Sequence, residues 1–194
     1  MKISKEQAGQ NRERVVNVAS ELLREHGFGG VGVADIMKAA GFTHGGFYNH
    51  FSSKEALAAE ATRRAFETMA DHREAAEDVA DLLTKYLSGK GRKALAKGCP
   101  AAALGADVAR QSDGVKAEFS HGVEGMIASM AERLEAEGVH DDARRRAVNV
   151  VCKMVGALML SRGVPDSDPL AAEILEDGLE GCLADAGLPK PAGG

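Results

Sequence analysis

The residues of this chain with the most evident chemistry lie together in one short segment. The segment contains, in order, Thr43, His44, Gly45, Gly46, Tyr48, Asn49, His50 and Lys54. Hydroxyl, imidazole, amide and ammonium groups are the donors and acceptors that contact phosphate oxygens and base edges in nucleic-acid complexes. Whether this grouping binds a nucleic acid depends on the elements that position it.

The elements around this segment predict how it is positioned. Ile36, Ala39 and Ala40 share the inner face of a short helix, and Gly41 follows where a helix usually ends in a left-handed residue. Thr43 is a suitable N-cap for the next helix. Two short helices joined by a glycine turn form a helix-turn-helix, which places its second helix in the DNA major groove.

The second helix of this pair has two distinct faces. Phe47 and Phe51 are four residues apart and should anchor one face, whereas His44 and Tyr48 should point outward from another. The two glycines after His44 each cost a helix roughly 1 kcal/mol relative to alanine. Close approach of the helix N-terminus to a phosphate or base edge would offset that cost.

A third helix begins directly after the second. Ser52 and Glu55 have the spacing of a capping box. Lys54 lies in the first turn, where its charge adds to the attraction that the helix dipole exerts on anions.

The segment G-F-T-H-G-G-F-Y-N-H-F-S-S-K-E-A-L resembles the DNA-binding segment of the TetR family of bacterial one-component transcriptional regulators, with a match from Arg12 to Leu57. The resemblance implies that Thr43, Tyr48, His50 and Lys54 contact phosphates, and that His44, Gly45, Gly46 and Asn49 lie closest to the bases. Many relatives have Ser or Thr at the cap before Val33. Here the residue is Gly32, which supplies no side chain for a phosphate contact.

The resemblance also implies an all-α fold of about nine helices. A three-helix DNA-binding domain would span residues 1–52, a six-helix ligand-binding and dimerisation domain residues 53–188, and a disordered tail residues 189–194. Apolar spacing predicts the later helices at 53–72, 75–88, 100–112, 114–137, 141–163 and 168–186. The Gly- and Lys-rich stretch 88–98 is expected to be a mobile connection.

Charge is unevenly distributed along the chain, whose formal net charge is −5. Residues 1–64 hold nine Lys and Arg against seven Asp and Glu, whereas the remainder holds fifteen against twenty-two. An acidic body behind a slightly basic head would orient the molecule on DNA. The sequence has no long apolar run and no signal peptide, which predicts a cytoplasmic protein. Its three cysteines are irregularly spaced, so neither disulfides nor a metal site are expected, and no cofactor is expected either.

The last two helices predict a homodimer. The stretch 147–160 is apolar almost all round, so it must be covered on several sides. Candidate interface residues are Val151, Val155, Leu158, Leu170, Ile174, Leu179 and Cys182. Two such helices from each subunit form a four-helix interface in this family, and a dimer could read a palindromic operator in double-stranded DNA whose half-sites are about one turn apart.

A small-molecule effector would need a pocket in the helical body. Candidate lining residues are Met69, Tyr86, Cys99, Leu104, Val108, Phe119, Met126, Met130 and Met154. Met-rich walls adapt to hydrophobic ligands. Cys99 directly precedes Pro100, so its thiol is expected at a helix N-terminus, where it could react with quinones, aldehydes or oxidants.

Four hypotheses follow. The first is a repressor released by a hydrophobic or electrophilic ligand, and the second is a repressor that switches through modification of Cys99. An enzyme using the helical cavity has little support, because the sequence lacks the common catalytic motifs and no catalytic residue can be assigned. A helical interaction protein with a vestigial DNA-binding domain is the fourth, although the intact segment 43–54 argues against it.

Overall fold

Helices account for all the regular secondary structure in the described part of the chain. The computed structural model describes residues 4–189, apart from the side chains of residues 71–74. The elements are α1 (Lys5–His26), α2 (Val33–Ala39), a 3₁₀ helix (His44–Asn49), α3 (Lys54–Glu74), α4 (Val79–Tyr86), α5 (Gly89–Lys93), α6 (Pro100–Val108), α7 (Asp113–Ala136), α8 (Ala143–Arg162) and α9 (Leu170–Ala186). The predicted all-α fold is confirmed. The predicted tail, 189–194, lies outside the described residues except for Pro189.

The predicted connection 88–98 contains a helix that the sequence analysis missed. Ser88 caps α5 by accepting a hydrogen bond from the Gly91 amide at 3.0 Å. Two arginines then hold this short helix: Arg92 donates from Nε to the Ser161 carbonyl at 2.8 Å, and Arg162 donates from Nε to the Arg92 carbonyl at 3.0 Å. Because these bonds come from residues about seventy positions apart, local composition could not predict the helix.

Packing divides the chain differently from the predicted boundary at residue 52. One unit combines the residues up to Met69 with Leu95–Gly122, and a second combines Ala70–Ala94 with the residues from Val123 onward. The first unit thus contains α1, α2, the 3₁₀ helix, α3 as far as Met69, α6 and the start of α7. Its hydrophobic core consists of Val15, Val16, Ala19, Leu23, Phe28, Val31, Ile36, Met37, Ala40, Phe47, Phe51, Leu57, Ala58, Ala61, Leu104, Val108 and Val115.

The second unit is organised around the antiparallel neighbours α8 and α9. The two helices contact each other, and Ala147, Val150 and Met154 of α8 and Leu175 and Leu183 of α9 are buried in the interior of this unit. In the described residues, no helix combines the length and hydrophobicity that crossing a membrane requires. Over the same residues, no group of His, Cys, Asp and Glu side chains could hold a metal ion.

Candidate nucleic-acid interface

The turn between α2 and the 3₁₀ helix is built on a left-handed glycine. Gly41 has φ of +83°, a conformation that side chains disfavour, and the Phe42 amide donates to the Met37 carbonyl at 2.8 Å. At the other end of α2, Asp35 Oδ2 accepts a hydrogen bond from the Gly32 amide at 3.1 Å. This bond caps α2 although Gly32 has no side chain to do so.

The 3₁₀ helix His44–Asn49 is the second helix of the predicted helix-turn-helix, here called the recognition helix. It is wound more tightly than an α-helix. Phe47 and Phe51 are almost fully buried, and their rings stack with centroids 5.5 Å apart. Ile36 and Met37 of α2 are also buried in this core, whereas Ala39 is exposed and was wrongly placed on the inner face. The predicted anchoring by the two phenylalanines is confirmed.

The opposite side of the recognition helix presents polar groups to solvent. The exposed residues are Thr43, His44, Gly45, Tyr48 and Asn49, whereas Gly46 and His50 are half-buried. Tyr48 is 71% exposed although its ring is large and aromatic. Its ring meets that of Phe47 edge-on at 5.2 Å, so the buried phenylalanine fixes the direction of the exposed tyrosine.

Gly45 has no structural need to be glycine within this chain. A Cβ built on it meets no atom within 4 Å, and its φ is not positive. At Gly46 the nearest neighbour is the flexible end of Met37, at an ordinary contact distance of 3.7 Å. A Cβ would therefore fit at both positions, so the fold itself does not require glycine there.

Lys54 is less available than the sequence suggested. Its ammonium donates to the Phe28 carbonyl at 3.0 Å, which ties the start of α3 to the turn after α1. The cap of α3 is Ser53 rather than the predicted Ser52, because Ser53 Oγ accepts from the Ala56 amide at 3.1 Å. Hydrogen bonds from the Glu55 amide and the Ser53 side chain lower the pKa of the Glu55 carboxyl, so it stays ionised at the helix start.

Two arginines of α1 lie beside the helix-turn-helix and differ in their contacts and exposure. Arg12 donates from Nε to the His50 carbonyl at 3.3 Å, pairs with Glu60 of α3, and lies with its guanidinium 4.7 Å from the centre of the Phe51 ring. Arg14 is exposed, and its guanidinium lies 3.7 Å from where a Cβ of Gly41 would be. From the sequence, both arginines could reach a neighbouring phosphate or groove, or belong to a solvated tail. The contacts of Arg12 with His50, Phe51 and Glu60 were not predicted, because they join distant positions.

Comparisons with known proteins agree with this geometry. Residues 15–61 match the family model for bacterial regulatory proteins of the tetR family, and residues 72–173 match that for the LmrA/YxaF-like transcriptional regulator C-terminal domain. The chain belongs to the TetR family. It is accordingly a DNA-binding transcriptional regulator with an N-terminal helix-turn-helix and a helical C-terminal part.

Individual relatives share modest identity over most of their length. The HTH-type transcriptional regulator LmrA of Bacillus subtilis is 27% identical over 84% of this chain and 92% of its own. The HTH-type transcriptional repressor NemR of Escherichia coli is 27% identical over 64% of this chain and 67% of its own. The structure of reduced E. coli NemR superimposes with a TM-score of 0.74 at 22% identity, covering 95% of this chain and all of that one. A TetR regulator from Chloroflexus aurantiacus gives 0.74 at 25% identity, covering 94% and 95%.

The residues predicted to line an effector pocket in this TetR-family chain are divided between the two units. Met69, Cys99, Leu104, Val108 and Phe119 belong to the first, and Tyr86, Met126, Met130 and Met154 belong to the second. Leu104 and Val108 form part of the core shared with the helix-turn-helix. A surface depression of about 460 Å³ in the second unit is lined by other residues, among them Leu87, Arg92, Pro169 and Leu175. The pocket residues stay a prediction.

Cys99 is the N-terminal cap residue of α6, as predicted, but its side chain makes no capping hydrogen bond and is 1% exposed. Its neighbour is the buried Arg24, which donates to the Gly98 carbonyl at 3.1 Å and the Ser20 carbonyl at 3.0 Å. Burial lowers the pKa of the Arg24 guanidinium, whereas Glu21 and Cys99 act in the opposite direction. A buried cation therefore lies beside the thiol.

The predicted dimer residues separate into buried and available sets. Val151, Leu158 and Cys182 are buried within their own unit, so in the single chain they offer little surface, and their place in an interface stays a prediction. The available residues are Val155, Leu170, Ile174 and Leu179, together with Cys152, Met159 and Leu160, which the sequence analysis did not select. Periodicity could not say which apolar face of these helices the fold itself covers, and the dimer interface stays a prediction.

Proposed function

We propose that the chain is a cytoplasmic repressor that binds a palindromic operator as a homodimer and is released by a small hydrophobic or electrophilic effector. It acts by binding rather than by catalysis. The observation that carries the proposal is the exposed group Thr43, His44, Gly45, Tyr48 and Asn49 on a helix anchored by buried phenylalanines.

Roles within this group follow from exposure and chemistry. Thr43 and Tyr48 are exposed hydroxyl donors at the two ends of the recognition helix, which suits phosphate contacts. His44 and Asn49 can hydrogen-bond base edges, and asparagine pairs with adenine through two bonds. The open backbone at Gly45 and Gly46 supports a close approach to the bases. Half-buried His50 and Lys54 complete the proposed phosphate contacts.

A homodimer is supported by the apolar surface of α8 and α9. Cys152, Val155 and Met159 follow one another at helical spacing on α8, and Leu170 and Leu160 are 44% and 60% exposed. One six-residue recognition helix contacts few base pairs, so two half-sites about one DNA turn apart would supply the specificity that a single site lacks. The repressor role is supported by the resemblance to NemR, which is named as a repressor.

The test is a selection from random duplex DNA on the purified chain, followed by binding measurements over a salt series and sedimentation of the complex. An enriched inverted repeat, bound by two copies with affinity that falls steeply in salt, is expected. Failure to enrich any sequence, or binding of a single copy to a non-repeated site, would reject the proposal. The selected operator then becomes the assay for screening hydrophobic and electrophilic effectors.

A second candidate is release through modification of Cys99, which is the N-terminal cap residue of α6 and directly follows the Gly98 carbonyl that Arg24 binds. The sulfur would add to the electrophilic carbon of a quinone or an unsaturated aldehyde, and the thiol proton would pass to the adduct. Cys99→Ser should then bind the operator normally but no longer respond to the electrophile, whereas Cys152→Ser should respond as wild type. An unchanged response of Cys99→Ser would leave reversible ligand binding as the mechanism.

A further inference from the structure

Arg12 joins three helices that belong to the same unit. From α1 its Nε donates to the carbonyl of His50, which is the C-terminal cap residue of the recognition helix. Its Nη2 pairs with Oε1 of Glu60 on α3. Its guanidinium also lies over the ring of Phe51 at 4.7 Å, close enough for a cation–π contact. One side chain thus holds the end of the recognition helix from two sides.

The recognition helix needs such support because it is short. A 3₁₀ helix of six residues has few internal hydrogen bonds and poor bond geometry, so its own backbone fixes its direction weakly. Phe47 anchors its middle in the core. Beyond its last residue, buried Phe51 and the Arg12 bond to the His50 carbonyl both hold the end of the helix.

We infer that Arg12 is a positioning residue for DNA recognition, held in place by Glu60, and that it does not itself neutralise a phosphate. This inference rests on the proposed DNA contacts of the recognition helix. Glu60 pairs with the Arg12 guanidinium from α3; the Arg12 side chain is 40% exposed and the Glu60 side chain 25%. The neighbouring Arg14 is exposed and has no such carboxylate partner among the described ion pairs, so its charge is not committed in the way that of Arg12 is.

Glu60→Ala should raise or lower operator affinity according to whether Arg12 contacts a phosphate or positions the recognition helix. Removing a carboxylate near DNA should strengthen binding by simple electrostatics, and should do so further if it releases Arg12 toward a phosphate. If Glu60 holds Arg12 in position, the same change should weaken operator binding by about tenfold, the worth of one charge-assisted hydrogen bond. The matched control is Glu124→Ala, which breaks the Arg144–Glu124 pair in the other unit and should leave DNA binding unchanged.

Arg12→Lys provides a second test that keeps the positive charge. Lysine cannot both stack on Phe51 as a plane and bond to two partners, so operator affinity should fall as in Glu60→Ala. Non-specific affinity and the salt dependence of binding should stay as in wild type, because no phosphate contact is lost. Loss of one phosphate contact would instead lower the slope of log K against log salt by about 0.9.

The experiment uses the full-length chain, its selected operator and a scrambled duplex, with thermal unfolding of each variant alongside. Wild-type or stronger operator binding by Glu60→Ala, wild-type binding by Arg12→Lys, or a reduced salt slope would overturn the inference. Failure of the wild-type chain to bind any selected duplex would instead reject the proposed function, so the two failures are distinguishable.

Discussion

Replacing Gly45 with alanine should separate DNA recognition from folding. The Cβ that alanine adds would meet no protein atom within 4 Å, and the residue has no positive φ that a side chain would strain. Gly45 is also exposed. The methyl group therefore costs the fold nothing, and it projects from the N-terminal part of the recognition helix into the space that we assign to DNA.

The structure sets the expected size of both effects. Where alanine fits without strain, Gly→Ala raises the free energy of unfolding by about 0.4–1 kcal/mol, because the unfolded chain loses conformational freedom. For a protein of this length that corresponds to a rise in Tm of roughly 1–4 °C. Forcing a methyl group into a close-packed interface typically costs about 1–3 kcal/mol. Operator affinity should therefore fall roughly 5- to 150-fold.

The assay is thermal unfolding of the free protein and fluorescence anisotropy on the selected operator. Gly125→Ala is the control, because Gly125 is an exposed glycine of α7 with equally open surroundings. It should give a similar rise in Tm and wild-type DNA affinity. Wild-type operator affinity in Gly45→Ala would refute the argument that DNA approaches the backbone here, and a fall in Tm would refute the reading of the local geometry.

Three further predictions test the packing. Lys54→Ala should lower the free energy of unfolding by about 1 kcal/mol as well as DNA affinity, because it removes a hydrogen bond to the α1–α2 turn; unchanged stability in a urea titration would contradict this. Burial raises the pKa of the Cys182 thiol to about 12, so the thiol stays protonated at pH 8. Mass spectra should therefore show that iodoacetamide labels exposed Cys152 while Cys182 stays unmodified. Labelling of Cys182 before Cys152 would contradict this. Gly122→Ala should destabilise by about 1–3 kcal/mol, because its Cβ would come within 2.2 Å of the Phe66 ring; a wild-type melting curve would show that the ring moves aside at no cost.

Local sequence signals were sufficient for the helix-turn-helix. The left-handed Gly41, the buried Phe47 and Phe51 and the exposed Tyr48 all follow from residue type and helical spacing. Long-range contacts were not predictable in the same way. The Lys54 bond to the Phe28 carbonyl joins residues 26 positions apart, and it changes the role expected of a lysine at a helix start.

For α8 and α9, the sequence did not predict which apolar residues would be buried. Periodicity predicted α8 and α9, but it could not predict that Cys182 lies in the core while Cys152 is exposed. Gly178 lies so close to Ala157 that a Cβ there would come within 2.7 Å, which shows how closely these helices approach. Which face remains for a partner depends on that approach, and apolar character alone does not encode it.

The shared core gives a physical basis for effector control of DNA binding. Leu104 and Val108 of α6 lie in the same core as Phe47, which anchors the recognition helix. Arg24 of α1 also donates to the Gly98 carbonyl just before α6, and Gly27 at the end of α1 approaches Asp107 of α6. A close-packed core does not deform gradually, so a displacement of α6 requires α1 and the recognition helix to repack with it. An effector would then need only a higher affinity for one of two positions of α6 to change how the recognition helix is presented to DNA.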